Sequence, residues 1–215
     1  MKNCWYKDVC ADYIADCDSG CIRYAEVKYL IDNSNIPEHR QFPTPLSPGN
    51  DYDAFVKLAE IKDNIVDFVE NGKNLYITSA NTGNGKTSWS IKLLLKYFND
   101  IWAGNGFRVR GMFVYVPQLL LQLKDFNNPL SNEYKTNLLM CDVVVWDDIG
   151  STDISNYDLS QLLLYIDQRI MRCKANIFTG NLNNKDKIAK VLGDRLASRI
   201  WNSSEVIQFI GKDRR

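Results

Sequence analysis

The sequence lacks a long apolar run, an excess of charge of either sign, and all but one histidine. Among its 215 residues, 26 Lys and Arg balance 26 Asp and Glu, so no overall basic field indicates binding to nucleic acid. No stretch approaches the roughly 20 apolar residues of a membrane-spanning helix. Cys4, Asp8 and Asp12 occupy positions where a signal peptide is apolar. We therefore expect a cytoplasmic protein without membrane contact, large enough for one main core and a small appendage.

The most informative stretch is the glycine-rich segment from Ala80 to Thr87. It follows a β-favouring run at 75–78 and precedes apolar residues at the spacing of an amphipathic helix. A strand, a glycine-rich loop and a helix in this order are the context of a phosphate-binding P-loop. Gly83 and Gly85 allow backbone conformations closed to other residues, so the loop N–H groups and the helix N-terminus can surround an anion. The predicted nucleotide-binding residues are Ala80, Asn81, Thr82, Gly83, Asn84, Gly85, Lys86 and Thr87.

Two residues of this segment have predicted roles in binding ATP. Lys86 would reach the β- and γ-phosphates, and the Thr87 hydroxyl would hold Mg²⁺. The consensus pattern begins with glycine where this chain has Ala80; because alanine is the smallest replacement, we expect the turn to form. The alternative is a glycine-rich turn that carries Lys-Thr by coincidence, which the flanking strand and helix disfavour.

A second motif lies further along the chain. Val143–Trp146 is a run of apolar, mostly β-branched residues, typical of a strand buried on both faces. Its carboxyl end carries Asp147 and Asp148, and open α/β sheets bind their ligands at such ends. We predict that Asp147 is the Walker B carboxylate that holds Mg²⁺ through water, and that Asp148 orients or deprotonates the attacking water. The alternative is a strand that ends in a solvated Asp-Asp turn.

Polar residues after the next strand complete the predicted site. The strand at 175–179 is followed by Asn181, whose side chain can bridge the γ-phosphate and the water, although a turn-forming or capping Asn has the same sequence signature. The predicted helix at 184–200 carries Arg195 and Arg199 four residues apart, hence on one face. Such a cation could reach the γ-phosphate of a neighbouring subunit, or form only a surface salt bridge.

The N-terminal segment contains four of the six cysteines, namely Cys4, Cys10, Cys17 and Cys21. In a cytoplasmic protein these should be thiols or metal ligands and not disulfides. Four thiolates suit tetrahedral Zn²⁺, yet the spacing lacks the paired C-x2-C knuckles of common zinc modules. Structural zinc, unbound thiols and an iron–sulfur cluster all remain open, with His39 as a possible substitute ligand.

Composition divides the chain into three parts: a cysteine-rich module (1–35), a proline-rich linker (36–49) and the nucleotide-binding domain (50–215). The remaining apolar patterns predict helices and strands in the order expected of an α/β fold. The predicted helices cover 23–34, 51–71, 119–126, 131–139 and 157–171, and the predicted strands cover 111–116 and 205–210.

The motifs together resemble one family. The P-loop, the Asp147-Asp148 pair, Thr179-Gly180-Asn181 and the run Gly-Asp-Arg-Leu-Ala-Ser-Arg at 193–199 resemble the DnaC/DnaI-like replicative helicase loaders. This branch of AAA+ ATPases also contains the IstB transposition helpers, and phage and low-GC bacterial members look most similar. The resemblance covers residues 36–215. The chain departs from the family at Ala80, and we expect no separate helical lid domain after Arg215.

The resemblance implies a five-stranded parallel sheet with the P-loop strand central, Arg199 as a trans-acting arginine finger, and Arg195 as its companion. It also implies that residues 1–35 form a zinc-binding module that contacts a hexameric helicase. The expected function is ATP-dependent loading of that helicase onto single-stranded DNA, gripped by basic residues such as Arg108, Arg110 and Lys124. The alternatives are an IstB-like transposition helper that assembles on duplex DNA, a small-molecule kinase, and a binding module in which ATP is only structural.

Overall fold

The computed structural model describes residues 4, 7, 10, 13–14, 17–18, 20–42, 45–101, 106–125, 129–151 and 154–211. Short helical turns lie at Glu38–Arg40 (3₁₀) and Ser198–Asn202 (π). Within the described ranges the strands are β1 (Asn74–Ser79), β2 (Gly111–Tyr115), β3 (Val143–Asp147), β4 (Ala175–Gly180) and β5 (Glu205–Phe209). The helices are α1 (Ile22–Asp32), α2 (Tyr52–Asp63), α3 (Ile65–Glu70), α4 (Lys86–Ile101), α5 (Val116–Lys124), α6 (Asn132–Met140), α7 (Asn156–Met171) and α8 (Lys185–Ala197).

The five strands form one parallel sheet in the order β2-β3-β4-β1-β5. This confirms the predicted α/β fold with a five-stranded parallel sheet. The P-loop strand β1 is internal, but the middle strand is β4, so the expectation of a central P-loop strand was wrong in that detail. The carboxyl ends of β1, β3 and β4 lie side by side, which is where parallel sheets bind ligands.

Each face of the sheet is covered by helices, as a parallel sheet requires. One core contains the buried side of α1 to α4, packed on strand residues such as Ile77 and Val145. The other contains residues of α5 to α8, packed on residues such as Tyr76 and Trp146. Helix α1 therefore shares a core with the nucleotide-binding part of the chain. No helix in the described ranges is both long enough and apolar enough to cross a membrane.

Three predicted helices differ in detail from the observed ones. The predicted helix 51–71 is interrupted at Asn64, whose side chain donates to the Glu60 carbonyl (2.9 Å) and ends α2 before α3 begins. Helix α5 starts at Val116, ahead of the prediction, because Pro117 fits the first helical turn; its predicted end at Phe126 lies outside the described residues. Helix α8 is kinked at Gly193, where φ is 77°.

A buried polar network holds the amino end of the sheet together. Arg169 on α7 is fully buried and donates to the carbonyl oxygens of Leu138 (2.8 Å), Cys141 (3.0 Å) and Ala175 (2.7 Å). It also donates to the Asn176 side chain (2.8 Å). Because a buried guanidinium is costly without partners, these acceptors make the site specific for arginine.

Candidate nucleotide-binding site

A cavity of about 830 Å³ opens at the carboxyl ends of the strands. It is lined by residues of the P-loop, by the ends of β3 and β4, by the segment 35–40, and by β2 with the start of α5. The predicted residues that line it are Thr82, Gly83, Lys86, Thr87, Asp147, Asp148 and Asn181. The cavity thus brings the P-loop, the aspartate pair and Asn181 together, as the order of the strands predicts.

The P-loop has the backbone that its glycines allow. Gly83 and Gly85 adopt φ of 69° and 99°, and helix α4 begins at the next residue, Lys86. The buried Lys86 ammonium donates to the Asn81 carbonyl (3.0 Å) and to the Asn84 side chain (3.3 Å). Ala80 is exposed and does not adopt a positive φ, so its methyl group causes no backbone strain. The turn therefore tolerates alanine at the position where the consensus has glycine.

The two aspartates are held by one hydroxyl group. Thr179, at 1% exposure, donates to Oδ1 of Asp147 (2.7 Å) and accepts from the backbone N–H of Asp148 (2.9 Å). The Thr179 carbonyl also accepts from the Ile149 N–H (2.8 Å). Asp148 has φ of 63°, a left-handed conformation that is uncommon for non-glycine residues and is found among others at functional sites. Sequence reasoning gave Thr179 no role; the available signal was a polar residue among the apolar residues of a buried strand.

The electrostatics of Asp147 fit a divalent cation. Burial raises the pKa of Asp147, while hydrogen bonds with Thr179 and Thr87 and the positive charge of Arg40 act in the opposite direction. The neighbouring charge of Asp148 adds to the increase. A buried carboxylate beside a hydroxyl is a hard oxygen donor set of the kind that Mg²⁺ prefers. The residues present therefore fit a magnesium nucleotide at the P-loop.

Asn181 lines the cavity as predicted, and its Oδ1 atom is buried. Among the residues that the structure describes, this oxygen has no hydrogen-bond partner. A buried amide oxygen without a donor is unfavourable. A bound ligand or water at this position would therefore be stabilised.

Arg195 and Arg199 do not line the cavity of their own chain. Both contact Asp167 on α7: Arg199 Nε lies 2.5 Å from Oδ1, and Arg195 Nη2 lies 3.9 Å from Oδ2. The side chain of Arg195 is 79% exposed and that of Arg199 is 44% exposed. The structure therefore places the two predicted arginines on the surface, on one face, with a shared acidic partner.

The segment 35–40 was interpreted from sequence as part of a linker, yet it forms a wall of the cavity. Ile36 is buried in the core of α1 to α4, and Pro37 to Arg40 line the cavity. His39, which was considered above as a substitute metal ligand, is exposed and lines the cavity. No sequence motif marked this wall, because it depends on packing between elements that are distant in the chain.

The three basic residues considered for binding DNA have different environments. Arg110 is buried and forms an ion pair with Asp142, so it does not face solvent. Lys124 forms an ion pair with Asp158 (2.8 Å), and Arg108 is exposed. Arg108 and Lys124 are therefore the two of the three that lie exposed at the surface.

The predicted zinc site is not confirmed. In the part of the chain that the structure describes, no three His, Cys, Asp or Glu side chains form a group able to hold a metal ion. Cys4 and Cys10 instead pack against the core of α1 to α4, Cys17 accepts from the Ile14 N–H (3.3 Å), and Cys21 is exposed. The arrangement observed does not fit Zn²⁺.

Comparison of this fold with solved structures shows the same architecture in DNA replication proteins. The crystal structure of the DnaC helicase loader has a TM-score of 0.65 at 20% identity, covering 80% of this chain and 99% of that one. The crystal structure of DnaI has a TM-score of 0.65 at 21% identity, covering 85% and 95%. The replication initiator DnaA bound to AMPPCP and single-stranded DNA has a TM-score of 0.56 at 14% identity, covering 85% and 50%. No curated protein sequence matches the chain.

The fold and the site define an α/β P-loop protein with a candidate nucleotide-binding cavity. A sequence profile described as IstB-like ATP binding protein matches residues 50–214. The chain therefore belongs to the IstB-like ATP-binding protein family, which confirms the resemblance to the DnaC-like branch drawn from its motifs.

Proposed function

We propose that this ATPase loads a replicative hexameric helicase onto single-stranded DNA in the cytoplasm, with ATP hydrolysed between its own subunits. The observation that carries the proposal is the division of the catalytic groups. The P-loop and the aspartate pair share one cavity, whereas Arg195 and Arg199 lie exposed outside it. A second subunit that brought these arginines to the cavity would add their positive charge to that of Lys86.

Within one subunit each residue has a distinct role. The loop N–H groups and Lys86 would bind the phosphates, while Thr87 and Asp147 would hold Mg²⁺, which would neutralise charge on the phosphates. Thr179 fixes the carboxylate of Asp147 and the backbone of Asp148. Asp148 orients or deprotonates the attacking water, and Asn181 holds that water through its unpartnered Oδ1.

Self-association completes the site. Arg199 of one subunit reaches the γ-phosphate bound to the next and stabilises the charge that develops in phosphoryl transfer. Arg195 supports it from the same face. Asp167 positions both arginines through its ion pairs before the subunits meet. We expect weak ATP turnover by the isolated chain, because the finger is absent from its own cavity.

The partners are proposed from the structural relatives. The solved structures that are similar to this fold include two helicase loaders and an initiator bound to single-stranded DNA. In this chain, residues 1–35 would contact the helicase, residues 36–49 would connect that contact to the ATPase domain at 50–215, and Arg108 would contact DNA. The four N-terminal cysteines would bind zinc only after rearranging, so metal content has to be measured separately.

A loading assay tests the proposal. A replicative hexameric helicase is added to closed circular single-stranded DNA that is coated with single-strand binding protein and carries an annealed oligonucleotide. We expect this protein and ATP to promote release of the oligonucleotide, and Arg199→Ala to abolish that effect while ATP still binds. Release that is independent of this protein would overturn the proposal.

The family profile supports a second candidate, an IstB-like transposition helper that assembles on duplex DNA. It would use the same ATP site and the same exposed arginines. ATP-dependent filaments on duplex DNA, visible by electron microscopy, would support this candidate. Absence of such filaments together with helicase loading would exclude it.

A further inference from the structure

We propose that Arg40 binds the terminal phosphate of the nucleotide in the same chain and thereby makes the site specific for ATP over ADP. This deepens the proposed function, since it rests on the cavity being an ATP site. Arg40 belongs to the segment interpreted as a linker from its prolines. It lies outside every motif of the sequence analysis.

The segment that carries Arg40 is fixed in place. The backbone N–H of Phe113 on edge strand β2 donates to the Ser34 carbonyl (2.6 Å). The buried Ser34 hydroxyl donates to the Ile31 carbonyl (2.7 Å) and accepts from the Ile36 N–H (3.3 Å). Ile36 is then buried in the core. These bonds join the end of α1 to the sheet, so the residues that follow cannot take an arbitrary path.

A tight turn then directs Arg40 to the cavity. Its backbone N–H donates to the Pro37 carbonyl (2.8 Å), which closes the 3₁₀ turn. The Gln41 side chain donates to the Ile36 carbonyl (3.4 Å), which also stabilises the turn. As a result Arg40 lines the same cavity as Lys86, Thr87 and Asp147, and its positive charge acts on Asp147.

The guanidinium of Arg40 is available to an anion. In the described ranges it has no hydrogen bond and no ion pair, whereas Arg110 and Arg199 are each paired with an aspartate. Arg40 is exposed, yet it faces a cavity that contains Lys86 at the P-loop. An unpaired guanidinium beside a phosphate-binding loop is suited to bidentate recognition of a phosphate.

This position predicts discrimination between nucleotides. Asp147, which would hold Mg²⁺ beside the γ-phosphate, lines the same cavity as Arg40, and the positive charge of Arg40 acts on it. ADP lacks the γ-phosphate, so its binding gains little from Arg40. Charge-assisted hydrogen bonds are among the strongest. Loss of Arg40 should therefore lower the binding affinity for a nucleoside triphosphate by about 10- to 100-fold.

The turn also connects this contact to the N-terminal part of the chain. Ser34 and Ile36 belong to the same packed unit as α1. A phosphate that orders Arg40 would therefore also stabilise the backbone at the end of α1. Amide hydrogen exchange of peptides covering 34–41 reports this directly. We expect slower exchange with ATPγS than with ADP.

The test compares equilibrium affinities of ATPγS and ADP by calorimetry with Mg²⁺, for wild type, Arg40→Ala and Arg40→Lys. We expect Arg40→Ala to lower the affinity for ATPγS by about 10- to 100-fold and the affinity for ADP by less than about twofold. Arg40→Lys should restore part of the affinity for ATPγS. Arg172→Ala is the matched control, since Arg172 is also exposed but does not line the cavity. It should change neither affinity.

The other outcomes separate this inference from the proposed function. If Arg40→Ala loses affinity for ATPγS and ADP equally, or loses none, the role of Arg40 is overturned. The proposal of an ATP site is then unaffected. A wild-type protein that binds neither nucleotide overturns both. Thermal melting of each variant verifies that it is folded, which is expected because the Arg40 side chain is exposed.

Discussion

Replacement of Thr179 by valine tests how the aspartate pair is held. The valine side chain has nearly the same shape, so only the hydroxyl group is lost. That hydroxyl donates to Asp147 and accepts from the Asp148 N–H. The change therefore removes one charge-assisted hydrogen bond and leaves one partly buried backbone N–H without its partner.

These two losses set the magnitude. A hydrogen bond to a charged group contributes about 1.5–3 kcal/mol, and an unsatisfied buried N–H costs about 1–3 kcal/mol. Asp147 keeps its hydrogen bond with Thr87, so the losses are not fully additive. We expect the free energy of unfolding to fall by about 3 kcal/mol, which lowers the melting temperature by about 6–12 °C in a chain of this length.

The functional effect is measured on the same variant. Asp148 loses the bond that holds its left-handed backbone, so we expect Mg²⁺-dependent ATP turnover in the assembled state to fall at least about tenfold, as for loss of one positioned general base or water-orienting group. Nucleotide affinity without Mg²⁺ should change little, because the P-loop is untouched. Calorimetry and a phosphate-release assay measure the two quantities.

Thr78→Val is the matched control. Thr78 is buried on the adjacent strand β1 and donates to the Leu182 carbonyl (3.1 Å), which also accepts from the Tyr76 hydroxyl (2.9 Å). Since that carbonyl keeps the Tyr76 donor, we expect Thr78→Val to lower the free energy of unfolding by only about 0.5–1 kcal/mol and to leave ATP turnover unchanged. Equal effects of the two variants on turnover would refute the reasoning about Thr179.

Three further changes have expected outcomes. Arg169→Met should lower the free energy of unfolding by about 3–5 kcal/mol in denaturant titrations, because three carbonyls lose a charged donor and the Asn176 oxygen keeps only the Trp146 indole N–H as its donor; a change under about 1 kcal/mol would contradict this. Burial alone would raise the pKa of Asp142, but hydrogen bonds from Lys174 and Arg110 bring it below its ordinary value. The stability that Asp142 contributes is therefore present above the ordinary pKa of 3.8 and is lost as pH falls below that value. Asp142→Asn should flatten that part of an acid-unfolding curve. An unchanged curve would contradict this role of Asp142. Asp167→Asn should lower ATP turnover of the assembled protein without changing nucleotide affinity, since Asp167 positions Arg199; unchanged turnover would show that the ion pair is only structural.

The core of the site could be predicted from the sequence because its residues follow strand ends. Asp147 and Asp148 come directly after β3, and the P-loop comes directly after β1. In a parallel sheet such ends meet at one edge, so local patterns were sufficient to bring them together. The same reasoning placed Asn181 in the cavity.

The remaining contacts could not be predicted, since each depends on packing between distant segments. Thr179 reaches Asp147 only because β3 and β4 are neighbours in the sheet. Arg40 reaches the cavity only because Ser34 is bonded to the edge strand β2. Neither relation leaves a spacing pattern in the sequence, and prolines near Arg40 favoured the linker interpretation.

The most direct test of helicase loading is the mass of the complex formed with a replicative hexameric helicase, measured by size-exclusion chromatography with light scattering and with zinc assayed in the same fractions. Lys86→Ala, which removes the ammonium group at the phosphate site, is the control. We expect an ATP-dependent complex with several copies of this chain per hexamer, which Lys86→Ala does not form. No complex with any nucleotide, together with ATP-dependent filaments on duplex DNA, would contradict helicase loading and favour the transposition helper.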